Sequence, residues 1–251
     1  MDKQLIKKRF TKAQSTYSEE AVVQYTIALK MAALLGEFIK PACSSLLEIG
    51  CGTGLFSRLL LREMNFRKVV LNDICPDMRR RLEDILDERQ EVSFQPGDAE
   101  ICPFEGRWDV IASCSAIQWF TDTAAFFRRS CDMLSSRGYL GFSTFGSDNM
   151  KEISTLTGSG LPYHTLEELK QMLSPVYKIL YAVEEKVVLS FSSPVEVLYH
   201  LKRTGVTGIE NRKWTKGNLA RFCQDYLKQF SAGDAVTLTY HPVYVVAQKN
   251  D

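Results

Sequence analysis

Histidine is scarce in this chain, long hydrophobic runs are missing, and no charge of one sign dominates. Each shortage excludes something. No run approaches the roughly 18 consecutive apolar residues that a membrane span requires. The 31 Lys and Arg side chains face 30 Asp and Glu, and a net charge of +1 does not mark a nucleic-acid binder. The three histidines, His164, His200 and His241, lie in a loop and two apolar elements, none at finger spacing from a cysteine. With no Cys-x-x-Cys either, no metal site is expected. The cysteines number seven, an odd count, and most sit inside apolar runs as reduced thiols do. The opening Met1–Arg9 lacks the apolar stretch of a secretory signal. A soluble, reduced, cytoplasmic protein is therefore expected, with no membrane and no nucleic-acid partner, and a monomer is the expected state, although these features do not themselves fix it.

What is present is an alternation. Ser18, followed by Glu19 and Glu20, caps a predicted helix over 18–40 that Pro41 closes. Strands are predicted at Ser45–Gly50, Lys68–Asp73, Val92–Gln95, Trp108–Cys114 and Tyr139–Thr144. Helices at Leu55–Glu63, Asp77–Glu88 and Asp122–Leu134 separate them. Near-continuously apolar strands joined by helices imply an α/β fold with a parallel sheet covered on both faces and right-handed crossovers. After Thr144 the pattern changes. Gly146–Tyr163 reads as a mobile loop, and Thr165–Leu173 as a helix with Thr165 and Glu168 in capping-box order. Tyr177–Leu189 reads as one long strand, and Val236–Gln248 as a final strand bent at Pro242.

Between those two strands, Pro194–Arg203 and Thr215–Phe230 are predicted helices. The expected organisation is one domain over 1–251, with an N-terminal helical arm at 1–40, a core at 45–145 and an inserted helical lid at 193–231. Arm and lid are both basic. Residues 1–16 carry Lys3, Lys7, Lys8, Arg9 and Lys12 against Asp2, and the lid carries seven basic side chains against three acids. The rest of the chain is correspondingly acidic.

The strongest motif is Leu47-Glu48-Ile49-Gly50-Cys51-Gly52-Thr53-Gly54, where the first strand meets its helix. Glycines there let the backbone turn tightly and approach a ligand closely, at the strand ends where open α/β sheets bind ligands. The spacing is G-x-G-x-G, not the G-x-G-x-x-G of a dinucleotide turn, so a pyrophosphate ligand fits less well. Asp73 ends the second strand, placed to accept hydrogen bonds from ribose hydroxyls. Asp98-Ala99-Glu100 follows the third strand, and Ser113-Cys114-Ser115-Ala116-Ile117-Gln118-Trp119 runs off the fourth, which Asp109 opens.

In consecutive order over about 45–145, this set resembles the class I S-adenosylmethionine-dependent methyltransferases. The resemblance implies a Rossmann-like seven-stranded sheet whose last strand is antiparallel. It also implies that Glu48, Gly50, Cys51, Gly52, Thr53 and Gly54 flank the methionine part of S-adenosylmethionine. Asp73 would then bind ribose, Asp98 and Ala99 would sit at adenine, and Met78 and Ser113 would complete the cofactor site. The acids suit a ligand carrying sulfonium and ammonium charges. Asn72 is a departure, since an apolar or small residue is more usual before the ribose acid.

A narrower resemblance spans nearly the whole chain. Lys8-Arg9-Phe10-Thr11-Lys12-Ala13, Ser15-x-Tyr17, Ala21-x-x-Gln24, Ala116–Trp119, Gly141–Phe145, Leu201–Gly205 and Leu238-Thr239-Tyr240 are similar to malonyl-[acyl-carrier protein] O-methyltransferases of biotin synthesis. That family methylates the free carboxylate of a malonyl thioester, priming pimelate assembly. A malonyl carboxylate is already ionised at pH 7 and needs desolvation and alignment, not a base. No nucleophile–histidine–acid set is discernible, which agrees. Tyr17, Gln118, Trp119 and Arg203 are the candidate catalytic contacts: Tyr17 over the sulfonium, Gln118 and Trp119 at the crevice, Arg203 forked onto a carboxylate or phosphate. Each has a plainer reading as packing or a solvated helix end. Two other functions also remain open, methylation of another small acid or quinone precursor, and S-adenosylmethionine binding without turnover.

Overall fold

The computed structural model describes residues 3, 4, 7, 22–88, 91–204 and 215–251. The predicted cap at Ser18 and the candidate Tyr17 lie outside the described residues. Helix α1 spans Val22–Phe38, then β1 Ser45–Ile49, α2 Leu55–Glu63 and β2 Lys68–Asp73. A 3-10 turn, Pro76–Arg81, precedes the short α3, Glu83–Glu88, so the single helix expected there breaks at Leu82. Next come β3 Val92–Pro96, β4 Trp108–Cys114, a 3-10 turn at Ile117–Trp119, α4 Thr123–Met133 and β5 Leu134–Phe145. Asp122 caps α4 through the Ala125 N–H, and β5 starts directly at its end, earlier than the apolar run indicates.

The main sheet has seven strands in the order β3-β2-β1-β4-β5-β10-β6, where β6 is Tyr177–Glu184 and β10 is Pro242–Lys249. Strands β1 to β5 pair in parallel, and β10 runs antiparallel to both β5 and β6. Strand alternation sends successive side chains to opposite faces. Leu46, Val69, Val110 and Val246 therefore pack with α1 and α2 on one face, and Leu47, Val70, Ile111 and Val245 pack with α4 and α6, Leu166–Leu173, on the other. Each such fully buried side chain contributes about 1.5–3 kcal/mol relative to exposure. The α6 capping box forms as expected, Thr165 and Glu168 each bonding the other's backbone N–H.

Two expected strands are divided between sheets. The 177–189 run becomes β6 and β7, Val187–Phe191, and the 236–248 run becomes β9, Ala235–Tyr240, and β10. Strand β9 lies between β7 and the short β8, Ser231–Ala232, in a second sheet. The helices α7, Pro194–Arg203, and α8, Lys216–Phe230, stand between β7 and β8, with Ser193 and Thr215 as side-chain caps. The segment inserted between β6 and β10 is thus a small sheet with two helices, larger than the helical pair expected.

The expected mobile loop after Thr144 is structured instead. It contains α5, Lys151–Thr157, and is tied to the β9–β10 junction. Buried Glu152 accepts from the Thr239 N–H at 3.0 Å and the Thr239 hydroxyl at 2.6 Å. Asn149 accepts the His241 N–H at 3.2 Å and donates to the Tyr163 hydroxyl at 2.8 Å. Polar side chains that look solvated in sequence are here the internal partners of buried backbone groups.

Candidate cofactor and acceptor site

The turn from β1 to α2 builds one wall of a cleft at the carboxyl ends of β1, β2 and β3. Gly50 (φ 70°) and Gly52 (φ 52°) both adopt left-handed backbone, which costs other residues about 1–2 kcal/mol. A Cβ on Gly50 would stand 2.3 Å from Ala116 Cβ, so only glycine lets this loop lie against the segment after β4. At Gly52 a Cβ would meet nothing within 4 Å. It would extend into open space in the loop that lines the cleft, a cradle that glycine keeps clear.

Asp73 ties the cradle to β2. Its Oδ2 accepts the Gly52 N–H at 2.9 Å and its Oδ1 the Cys75 N–H at 2.8 Å. Burial pushes its pKa up, and the two N–H bonds oppose that without cancelling it. The Cys75 thiol adds a smaller lowering effect, and the roughly four acceptor positions of a carboxylate still leave room for a hydroxyl donor. Asn72, the unusual neighbour, donates to the Gln95 and Gly97 carbonyls at 2.9 and 3.0 Å and so holds the end of β3 against β2.

Glu48 is buried behind the loop, on the same face of β1 as Leu46, and does not line the cleft. Its Oε2 finds no hydrogen-bond partner among the described residues. Burial first, and the Asp73 carboxylate second among the raising effects, push its pKa to about 8, while Arg58 works the other way. The Ser57 hydroxyl is the largest of the effects that oppose the rise, without reversing it. An orphaned buried carboxyl beside a glycine cradle fits a ligand that brings an ammonium group.

The other predicted residues divide. Gly50, Cys51, Gly52 and Thr53 line the cleft, as do Asp73, Met78, Asp98 and Ala99. Gly54 is instead the N-cap of α2, and Ser113 is buried with its hydroxyl on the Ile49 carbonyl at 2.9 Å, joining β4 to β1. Trp119 lines the cleft. Gln118 turns away into an adjoining cavity, donating to the Ser115 carbonyl at 2.6 Å and accepting from Thr144 at 3.3 Å. That cavity also holds Tyr163 and His164, and Phe120 borders both spaces. Arg203 lies exposed at the end of α7 and lines neither. His200 bonds the Tyr240 hydroxyl at 2.8 Å, and His241 accepts the Asp148 N–H at 3.1 Å. Asp109 opens β4 but serves the scaffold, receiving the Ser44 and Ser45 N–H groups at 2.8 and 3.1 Å. Sequence reasoning missed Lys3, Gln24 and Ala28, which line the cleft from the N-terminal side. Gln24 and Ala28 reach the cleft because α1 packs against α2, β4 and β5, and Lys3 comes from the residues before α1.

Comparison with known proteins agrees with this geometry. The family model described as a methyltransferase domain matches residues 47–142, from β1 into β5. A malonyl-[acyl-carrier protein] O-methyltransferase of Bacteroides thetaiotaomicron is 49% identical across 99% of this chain and 99% of its own length. The chain belongs to that family. The malonyl-[acyl-carrier protein] O-methyltransferase of Bacteroides fragilis is 52% identical across 98% of this chain, which spans half of that protein's length. The fold of this family member also matches the N-methyltransferase NodS of Bradyrhizobium japonicum, solved with S-adenosyl-L-homocysteine. There the TM-score is 0.53 at 12% identity, over 90% of this chain and 86% of that one. As a methyltransferase of this family, the chain is an enzyme. Among the described residues, no helix is long and apolar enough to cross a membrane.

Proposed function

We propose that the protein transfers a methyl group from S-adenosylmethionine to the free carboxylate of malonyl-acyl carrier protein, as a cytoplasmic monomer. One carboxylate O–C bond forms as the S–C bond breaks, leaving S-adenosylhomocysteine and requiring no proton transfer. The full-length likeness to proteins of that name carries the reading. The glycine cradle with Asp73 and the orphaned Glu48 carboxyl supports the cofactor. When bound, S-adenosylmethionine supplies an electrophilic methyl on a sulfonium.

The chain's own residues position and desolvate. Gly50 and Gly52 admit the cofactor's methionine end, Asp73 takes the ribose, and Asp98 with Ala99 takes adenine. The acceptor reaches the methyl through the cavity that shares Phe120 with the cleft. Its polar groups include the Gln118 amide and the Thr144 and Tyr163 hydroxyls. Neutral donors orient a carboxylate without quenching it as an Arg fork would, so its oxygen stays nucleophilic once water is excluded. Arg203 belongs instead to an outward basic surface with Lys202, Lys216, Arg221 and Lys228, all exposed on α7 and α8. That surface suits an acidic carrier protein. The ester product loses its charge, so apolar elongation pockets accept the chain.

The test is label transfer from methyl-labelled S-adenosylmethionine to malonyl-carrier protein, with malonyl-CoA and acetyl-carrier protein alongside. Base-labile label on the malonyl carrier and none on the acetyl form is expected. Absence of transfer despite cofactor binding overturns the acceptor. Raising salt slows the carrier-linked reaction more than the small thioester's, and equal sensitivity removes the basic docking surface.

A further inference from the structure

Gly54 ends the glycine motif without lining the cleft, and the side chain lying against it is Arg58. A Cβ on Gly54 would stand 2.7 Å from Arg58 Nη1 and 2.5 Å from Leu82 Cδ2. Through that notch the guanidinium reaches three separate segments. Nη1 donates to the Thr53 carbonyl at 2.8 Å, in the glycine loop. Nη2 donates at 2.8 Å to the carbonyl of Arg81, the last residue of the 3-10 turn that carries Met78. Nε and Nη2 fork onto the Asp84 carboxylate of α3 at 2.8 and 2.6 Å. Thr53 and Met78 both line the cleft, and Arg58 itself does not.

Stability alone does not account for these bonds. The Arg58 and Asp84 side chains are 41% and 54% exposed, and ion pairs so exposed stabilise a fold little. The pair is nonetheless well formed, since the Arg58 hydrogen bonds, ahead of every other influence, hold the Asp84 carboxyl below its usual range. What the bonds achieve is a closed frame. Neither α2 nor the Met78 turn starts with a side-chain cap. Asp73 holds the two segments on one side, through the Gly52 and Cys75 N–H groups. Arg58 holds them on the other, through the Thr53 and Arg81 carbonyls. Only a guanidinium suits that place, because its five N–H donors lie in a fixed plane, whereas a lysine offers one nitrogen. Segments left free would have to be ordered on binding, and that ordering is subtracted from affinity.

We propose that Arg58 is a positioning residue for the cofactor, a clasp that holds the glycine loop and the Met78 turn in their binding geometry before the cofactor arrives. The proposal rests on the reading of the cleft as the S-adenosylmethionine site and is independent of the methyl acceptor. Arg58 acts through Thr53 and Met78 and is not a catalytic residue.

The experiment titrates S-adenosylhomocysteine into the whole protein calorimetrically, and follows amide hydrogen exchange over residues 50–54 and 76–82 with and without it. Arg58→Met binds about tenfold more weakly. Both segments exchange faster than in wild type when the variant is free, and at the wild-type rate when it is saturated. In turnover the S-adenosylmethionine KM rises by the same factor and kcat is unchanged. Arg58→Lys keeps the charge without the fork and behaves as Arg58→Met does. Asp84→Asn alters only an exposed side chain, so it tests the clasp in a protein that folds as wild type does. It weakens binding about threefold, and the double variant is no weaker than Arg58→Met alone, because both act through one clasp. Wild-type affinity and exchange in Arg58→Met overturn the clasp, as do a lowered kcat at unchanged KM or additive losses in the double variant. Absence of S-adenosylhomocysteine binding in the wild type removes the cofactor site itself, whatever Arg58 does.

Discussion

Replacing Glu48 with glutamine stabilises the cofactor-free protein at neutral pH, by an amount that depends on pH in a defined way. Glu48 is 1% exposed on β1, and burial moves its pKa from 4.5 to about 8. In the unfolded chain it loses its proton near 4.5, whereas in the fold it keeps it until about 8. Between those values the unfolded state binds fewer protons, so wild-type stability falls as pH rises, by about 1.4 kcal/mol per pH unit. From the lower value to pH 7 the loss reaches about 3 kcal/mol, a large share of the roughly 5–15 kcal/mol that holds a domain folded. The neutral amide of Glu48→Gln has no proton to lose. Urea unfolding of both proteins at about pH 5, 6 and 7 is the assay. The gap between the two curves widens by about 1.4 kcal/mol per unit in favour of Glu48→Gln and levels off above pH 8. Asp73, shifted in the same direction, is common to both proteins and cancels in the difference. A gap constant over this range shows that Glu48 is already ionised in the fold and refutes the burial argument.

Because Glu48 holds its proton at pH 7 in the cofactor-free fold, binding a ligand that sets an ammonium beside it releases that proton. Calorimetric titration with S-adenosylmethionine in buffers of differing ionisation enthalpy gives heats that vary with buffer, and heats that do not vary place the ammonium elsewhere. Gly52→Ala loses about 1–2 kcal/mol from its left-handed backbone and remains folded, yet its methyl enters the cradle and abolishes cofactor binding. Gly50→Ala adds the collision with Ala116 and unfolds at markedly lower urea. Equal stability of the two variants contradicts the packing described. Asp109→Asn weakens the β1–β4 junction, with the opposite pH sign to Glu48. Burial tends to raise the Asp109 pKa, but the Ser44 and Ser45 donors outweigh it and hold the pKa below 3.8. Its stabilisation is present above that value and disappears as pH falls through the lowered folded pKa, so the variant's stability deficit shrinks in acid.

Much of the site was legible because its signals are local. Gly50–Thr53, Met78 and the Asp98–Ala99 pair follow strand ends, Asp73 closes β2, and all of them line the cleft. Gln118 and Trp119 are neighbours in sequence, yet a 3-10 turn sends one to the adjoining cavity and the other to the cleft. Sequence spacing does not report that rotation. Arg203 showed the same limit: its charge was evident, while its place on an outward helix end depended on how α7 packs.

Apolar periodicity and capping residues act within a few positions, so the alternation of β1 to β5 with their helices is written in the chain itself. Leu55–Glu63 and Lys68–Asp73 have the same bounds in the pattern and in the fold. Long-range packing settled where the apolar runs at 177–191 and 235–249 divide between two sheets, because either half suits either sheet. Packing also anchored Gly146–Tyr163. Glu152 meets Thr239 and Asn149 meets His241 across 87 and 92 residues of chain. The retained proton on Glu48 and the reach of Arg58 to Arg81 are likewise products of burial and long-range approach. Hydrogen bonds and pKa values depend on what surrounds a side chain, and those surroundings exist only once distant segments have packed.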